Sequence, residues 1–406
     1  MKEAKKEISP RTGKASWVLK WDDYDENKKR IQKEKHFKTK REAEEFRIKT
    51  EHDKKTGTYT SNDKGYTVRT WLDAWIDTYK VGIVRDNTVA GYRNNINHIK
   101  ARIGNVPLEK LTTDQIQKAL NDLMNSTYIK ESKKGKITAK LPKHYSAKTV
   151  RSCHAILFEA LKRATKNRLI PFNPAEDVEL PKVEQKEHYI MTDEEMNRLM
   201  EALKETECGP VITVCATLGL RRGEALGLQW DDIDFKQRVI HVRHNYKIIH
   251  TDPGQPEKLE LSELKTKKSK RDLPMDEDLA QMFTELKQGK KEAAAASDGY
   301  ILSNFVFTTI EGKPFRPDSI SQAFKRAAIR AGVKDVHLHD LRHNAVTYWI
   351  NNGTDMRTVS EMAGHSSVAF TMDTYAHPIE ESKKKAVDLI SKRVFAYRTA
   401  KEEQAK

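Results

Sequence analysis

The chain has 406 residues, a third of them charged, and Lys plus Arg outnumber Asp plus Glu by 74 to 59, a formal charge of +15. That length exceeds what one hydrophobic core usually serves, so two or three domains are expected, and the cationic surplus is the footprint of a polyanionic partner, since each phosphate neutralised releases counterions. No run of ~18 apolar residues occurs, and no apolar stretch follows Met1-Lys2-Glu3-Ala4-Lys5, so neither a membrane span nor a secretory leader is expected, and a soluble cytoplasmic protein is.

The first predicted unit spans residues 1–65. Trp17 to Trp21 has strand composition, Asp22 to Lys29 reads as a turn, and Arg30 to Phe37 alternates enough to return as a second strand. Thr39-Lys40-Arg41-Glu42 has the form of a capping box and opens a helix to about Lys55. The apolar residues available are mainly Trp17, Leu19, Trp21, Phe37, Ala43, Phe46 and Ile48, a small core for so charged a segment. Its cations Lys20, Lys28, Lys29 and Arg30 are candidates for contact with a duplex, because a two-stranded ribbon fits a major groove; the alternative is a solvated tag or interaction module.

A helical unit follows over residues 66–170. Val68, Trp71, Leu72, Trp75, Ile76 and Tyr79 recur at steps of three and four, the stripe of a helix facing a core. Further helices are predicted from Asn87 to Ile103, from Thr112 (boxed with Gln115) to Asn125, and from Ser146 to Asn167, which together make a compact bundle. Between the last two lies a basic insertion with Lys133, Lys134 and Lys136, and the polar side of the last helix carries Lys148 and Arg151. All five are candidate phosphate contacts, of the kind that positions a duplex without reading it. Pro171, Pro174 and Pro181 then predict an extended linker over 171–189.

Thr192-Asp-Glu-Glu195 is another capping box, and the apolar run Val211 to Leu218 predicts a buried helix. It leads into Gly219-Leu220-Arg221-Arg222-Gly223-Glu224. Arg238 to Arg243 reads as a strand, and Leu264-Lys265-Thr266-Lys267-Lys268-Ser269-Lys270-Arg271 as part of a hairpin. Near the end stand His337-Leu-His339-Asp340-Leu-Arg342-His343, then Gly364-His365, and ten residues later Tyr375, followed by His377. Imidazoles, guanidinia and a phenol are groups suited to a phosphodiester. The histidines lack acidic or thiol companions at ligand spacing, so no metal is expected. Cys153, Cys208 and Cys215 lie in apolar contexts without C-x-x-C spacing and are expected as buried free thiols. Tyr348 and Trp349 are expected in the core.

Three of these segments carry a resemblance. Leu218 to Asp234, with Arg221 and Glu224, resembles the first box of the tyrosine recombinase or phage integrase family; His339-x-x-Arg342 resembles its second element; and Gly364-His365 with Tyr375 and His377 its closing box. The hairpin matches the family's Lys-Thr-x-x-Ser-x-Arg pattern from Lys265 to Arg271. The resemblance implies a multidomain protein: a small α+β arm-binding domain (1–65), an all-α core-binding helical bundle (66–170), the linker, and a mixed α/β catalytic domain, mainly helical with a small antiparallel sheet (190–378). A C-terminal helix or tail (379–406) completes it, packed either on its own domain or on a neighbouring subunit.

By the same resemblance, Tyr375 is the nucleophile that forms a 3′-phosphotyrosyl intermediate and Arg221 and Arg342 clamp the phosphate. His339 relays the tyrosine proton, His365 donates to a non-bridging oxygen, Lys265 is the general acid for the 5′-oxygen with Lys267, Lys268 and Lys270 as alternatives, and Glu224 orients Arg221 or buttresses the fold. Lys267 and Lys268 are expected to grip the minor groove, while His337 and His343 are given structural roles only. The chemistry needs neither cofactor nor metal. The expected partners are double-stranded DNA at core and arm sites, further copies making a homotetramer on two DNA sites, and a DNA-bending or directionality factor from host or element. The expected function is site-specific recombination that integrates and excises a mobile element. The alternatives are nicking of the type IB topoisomerase kind and a non-catalytic DNA-binding regulator.

Overall fold

The computed structural model describes residues 3–8, 15–24, 30–56, 65–128, 142–183, 189–204, 206–249, 257–264, 268–375, 384 and 387–395. The chain divides into two compact units, Met1–Gln185 and Lys186–Lys406. Among the described residues no helix is long and apolar enough to cross a membrane.

In the first unit, strands β1 (Lys5–Ile8), β2 (Ala15–Tyr24) and β3 (Arg30–Phe37) form an antiparallel sheet in that order. Helix α1 (Lys40–Thr56) covers it, and Leu19, Trp21 and Ala43 are buried together with Ala4. The predicted box is present: Glu42 N donates to Thr39 Oγ1 at 3.2 Å, and the Glu42 carboxylate accepts from Thr39 N at 3.4 Å. Two corrections arise here. The sheet has a third strand, β1, whose sequence Lys-Lys-Glu-Ile shows no apolar alternation because backbone pairing to β2 holds this edge. Ile48, expected in the core, is 61% exposed.

The rest of the unit is the bundle of α2 (Val68–Tyr79), α3 (Asp86–Ile103), α4 (Thr113–Asn125) and α5 (Ala147–Lys166). The stripe on α2 is buried as its spacing demands, and Trp71 Nε1 donates to the Ala160 carbonyl at 3.0 Å, satisfying the indole inside the core. The paired stubs β4 (Thr127–Tyr128) and β5 (Lys143–His144) flank the basic insertion. The expected linker is corrected in its first half, because Ala175 and Val178 are buried in the bundle core and Leu180 packs on it. Gln117 bonds both backbone groups of Glu179, at 2.9 and 3.1 Å, and His154 Nε2 lies 2.8 Å from the Ala175 carbonyl. The prolines bar a helix there but leave the segment free to wrap the bundle.

The second unit opens with α6 (Asp193–Lys204), α7 (Gly209–Leu218) and the short α8 (Arg222–Leu226). Strands β6 (Ile233–Asp234), β7 (Val239–Val242), β8 (His244–Ile249), β9 (Lys258–Glu263) and β10 (Arg271–Pro274) make a small antiparallel sheet, β10-β7-β6, and a separate β8-β9 hairpin. Helices α9 (Glu277–Ala296), α10 (Pro317–Arg330), α11 (Asp340–Asn351), α12 (Met356–Ala363) and α13 (Val368–Thr374) follow. The main core includes Leu199, Ile212, Ile240, Phe283 and Phe324. A second, smaller core of Val346, Ile350, Val359 and Ala363 surrounds Tyr375.

Cys153 and Cys215 are buried and Cys208 half-buried, all three as free thiols; burial pushes the first two up to about 11 and about 12. Trp349 packs on the smaller core, but Tyr348, one residue earlier on α11, turns outward and is 60% exposed, against expectation. Residues 387–394 are helical, with Val387, Ile390 and Val394 exposed rather than packed on this unit.

Candidate active site

The site is assembled by two left-handed turns. Gly219 caps α7 at φ +60°, and a Cβ there would meet the Trp349 ring at 3.0 Å. Its carbonyl accepts from Arg342 Nη1 at 2.8 Å, and the chain then delivers Arg221 two residues later. Gly364 caps α12 at φ +64°, and its carbonyl accepts from Arg221 Nη2 at 3.2 Å; a Cβ at Gly364 would lie 2.9 Å from Arg271 Nη1. Glycine is needed at both turns for the backbone conformation and for the space.

Arg221 is 40% exposed in its side chain, with Nη1 on Glu224 Oε1 at 2.7 Å. Arg222 turns away to Ser321 Oγ at 2.7 Å, so Arg221 is the arginine beside the Gly364-His365 turn. Arg342 is buried and its fork is fixed by the Gly219 and Ala363 carbonyls. Burial, and next the Arg221 charge, push its guanidinium down to about 9, which leaves it charged at neutral pH.

Glu224, 2% exposed, is held between two guanidinia: Oε1 accepts from Arg221, and Oε2 from Arg271 Nη2 at 2.9 Å. Burial alone would raise its carboxyl, but Arg271 and Arg221 outweigh burial and hold it below the usual range. Arg271 also donates from Nε to the Met362 carbonyl at 2.7 Å and from Nη1 to Ser269 O at 3.2 Å. It therefore ties β10 to the end of α12. Its place as the last residue of the Lys-Thr-x-x-Ser-x-Arg pattern was the sequence signal for it, but its pairing with Glu224 is non-local.

His365 is buried with Nδ1 2.7 Å from Thr371 Oγ1, and its ring stacks on that of Tyr375 at 6.4 Å and 17°. Burial, then Arg342 and Arg221, push it down to about 4, so it is neutral at neutral pH. Tyr375 follows α13 and is 4% exposed; burial pushes its phenol up to about 12, with Arg342 pulling the other way. His339, exposed, precedes α11, and the His337 backbone N–H donates to Asp340 at 2.7 Å. The nitrogen within hydrogen-bond distance of the Tyr375 hydroxyl, at 2.6 Å, is Nδ1 of His343, which sequence reasoning had left with a structural role. Asn344 was also missed: it accepts from Met191 N at 2.7 Å and donates to the Tyr189 and Asp340 carbonyls, fixing α11 to the start of the unit.

The structure thus brings Arg221, Glu224, Arg342, His365 and Tyr375 together, and Lys268 Nζ reaches the Ser366 carbonyl at 2.8 Å beside them. Lys265, Lys267 and His377 lie outside the described residues, as do Lys28, Lys29, Lys133, Lys134 and Lys136. In the first unit Lys20 pairs with Glu7 at 3.3 Å and Glu34 at 3.5 Å, and Arg30 with Asp22 at 2.7 Å. Lys148 is exposed, and Arg151, exposed as well, donates to the Pro181 carbonyl at 3.3 Å.

Residues 190–382 match the model of the phage integrase family, and residues 67–124 that of the phage integrase N-terminal SAM-like domain. The chain is 27% identical over 389 residues to a "Tyrosine recombinase XerC-like" protein of Caldanaerobacter subterraneus subsp. tengcongensis, covering 90% of this chain and 93% of the relative. It is 23% identical to an integrase of Staphylococcus phage L54a, covering 86% of this chain and all of the relative, 100%. Among solved structures, the Tn1549 transposon integrase in complex with transposon right end DNA aligns with TM-score 0.64 at 20% identity, over 80% of this chain and 99% of that one. A lambda integrase tetramer bound to a Holliday junction aligns with TM-score 0.55 at 17% identity, over 89% of this chain and 95% of that one. The chain belongs to the phage integrase family and is a tyrosine site-specific recombinase.

Proposed function

We propose that the protein integrates and excises a mobile element by cutting and rejoining DNA through a covalent phosphotyrosine at Tyr375. The observation that carries this reading is the convergence of Arg221, Arg342 and His365 on the surroundings of one buried tyrosine. Attack by the phenol on phosphorus conserves the phosphodiester energy as a 3′-phosphotyrosyl ester and releases a 5′-hydroxyl. Charge growing on the non-bridging oxygens is met by two guanidinia whose positions are set in advance by Glu224 and by backbone carbonyls, so little reorganisation is left for the transition state. His365, kept neutral by burial, can accept at Nδ1 from Thr371 and donate from Nε2 to a phosphate oxygen. Lys265 is assigned the protonation of the 5′-oxygen, while Lys268, anchored at Ser366, supports the turn that carries His365.

The mobile element is favoured by the arm-like sheet and helix at residues 3–56, and by relatives named as phage and transposon integrases. Duplex DNA is the partner, gripped along its backbone by cations including Lys148 and Arg151, and synapsis of two sites calls for four protomers. The exposed apolar side chains at Val387, Ile390 and Val394 favour docking of the tail on a neighbouring protomer. The test is a nicked suicide duplex taken from the region that the protein footprints beside its own gene. The wild type is expected to form a covalent protein–DNA adduct and Tyr375→Phe none. An adduct with Tyr375→Phe refutes the assignment of the nucleophile.

A further inference from the structure

The Tyr375 hydroxyl does not face solvent; it faces an imidazole. His339, at the N-cap of α11, and His343 on that helix stand four residues apart, with their rings edge to face at 5.0 Å between centroids. His339 is exposed and His343 half-buried, and the Tyr375 phenol lies 2.6 Å from His343 Nδ1 with ring centroids 5.8 Å apart. Two other groups near the phenol are turned elsewhere, His365 Nδ1 to Thr371 and the Arg342 fork to the Gly219 and Ala363 carbonyls. A buried phenol of this kind is a poor nucleophile without a base at its proton, and a base must be within hydrogen-bond reach to act.

We propose that His343 is a catalytic residue of strand cleavage, taking the phenolic proton of Tyr375 on Nδ1 as the oxygen attacks phosphorus. The inference rests on the reading of Tyr375 as the nucleophile. In the step the Tyr375 O–H bond breaks and an Nδ1–H bond forms, while the phenol oxygen bonds to phosphorus. The P–O5′ bond breaks with its electron pair on the 5′-oxygen, which is protonated by the general acid assigned to Lys265. In rejoining, the 5′-hydroxyl attacks phosphorus as its proton returns to the amine assigned to Lys265, and the phenol leaves, recovering its proton from His343. In this step Nδ1 accepts from the phenol, so the hydrogen of the neutral ring sits on Nε2. The charged and titratable groups around this imidazole are His339 and Arg342, near it in the chain, His365 beyond α12 and Tyr375 beyond α13. Charge that develops on the tyrosine oxygen and the phosphate in the transition state favours the imidazolium, so the proton moves at the moment of attack.

The experiment measures single-turnover adduct formation on the nicked suicide duplex between pH 5.5 and 9. The proteins compared are the wild type, His343→Asn, His343→Ala and Tyr375→Phe, with DNA affinity and thermal unfolding recorded for each. Asn places an amide where Nδ1 stood, so it can hold the phenol but cannot take a proton. His343→Asn is expected to bind DNA as the wild type does, to cleave at least about 100-fold more slowly, and to lose the imidazole inflection in its pH profile. Added imidazole is expected to restore part of the rate to His343→Ala, which a merely structural role would not allow. A His343→Asn enzyme within about threefold of wild type with the same pH profile overturns the role of His343. An adduct that persists in Tyr375→Phe overturns the nucleophile itself, a separate outcome.

Discussion

Glu224 is the residue whose loss the structure makes easiest to calculate. Its carboxylate and the Arg271 guanidinium are both almost wholly enclosed, 2% and 6% exposed in their side chains, and the carboxylate also holds the half-exposed Arg221. Glu224→Ala leaves the Arg271 charge in the interior with, among the described residues, the Met362 and Ser269 carbonyls as acceptors. Removing one partner of a buried pair costs about 3–5 kcal/mol, and the two surviving neutral acceptors argue for the lower end. For a unit of this size, about 3 kcal/mol lowers the melting temperature by roughly 6–12 °C. Calorimetry or urea unfolding of the full chain reads the change, monitored on the transition of the second unit. The paired variant Glu224→Leu with Arg271→Met is expected to recover at least half of the loss, since an apolar pair removes the stranded charge. Cleavage stays impaired in both, because Arg221 has lost its anchor. A Glu224→Ala protein destabilised by less than about 1 kcal/mol would refute the claim that this triad is a tightly coupled buried unit.

Gly364→Ala places a Cβ at φ +64° against Arg271 Nη1, and a loss of about 1–2 kcal/mol with slower adduct formation is expected in the same two assays. His365 is held at about 4 against 6.5 unfolded, so the unfolded chain binds the extra proton in that window. The stability it contributes is complete above pH ~6.5 and is lost as the pH falls toward ~4, up to about 3 kcal/mol. Urea unfolding of wild type against His365→Gln should show the difference shrinking over that interval, and parallel profiles would contradict it. Asn344→Ala removes three hydrogen bonds around Met191, Tyr189 and Asp340, and a cost of about 2 kcal/mol is expected in the unfolding assay. Lys265→Ala is expected to slow cleavage of an ordinary duplex but not of one whose leaving 5′-oxygen is replaced by sulfur, a leaving group that needs no acid.

Local rules carried much of the fold. The boxes at Thr39, Thr112 and Thr192 and the stripes on α2 and α5 are written within one or two helical turns, and the helices begin and bury as those residues dictate. What local rules missed depends on distant partners. Strand β1 is charged and exists through its ladder to β2; Ala175 and Val178 are buried because α4 and α5 offer them a surface, though the prolines around them read as an extended linker. The site divides in the same way. Arg221, Arg342, His365 and Tyr375 were legible as residue types in a familiar order, whereas Arg271, Asn344 and His343 act through contacts across 47, 153 and 32 positions of sequence, respectively.

The burial of Tyr375 links these observations. A phenol pushed up to about 12 and packed among Val346, Ile350, Val359 and Ala363 is protonated and shielded, so the resting enzyme does not carry a loose nucleophile. The same packing fixes the hydroxyl against His343, one helical turn after His339, on the helix that carries Arg342, the proposed phosphate contact. The proposed proton acceptor and phosphate contact are therefore neighbours on α11, and any movement of that helix shifts both together. In the proposed reaction, the negative charge of a phosphodiester held beside Arg221 and Arg342 opposes a free tyrosinate. Proton transfer is thus favoured only when concerted with attack, because the phenol's charge then passes to the phosphorus centre instead of accumulating on the oxygen.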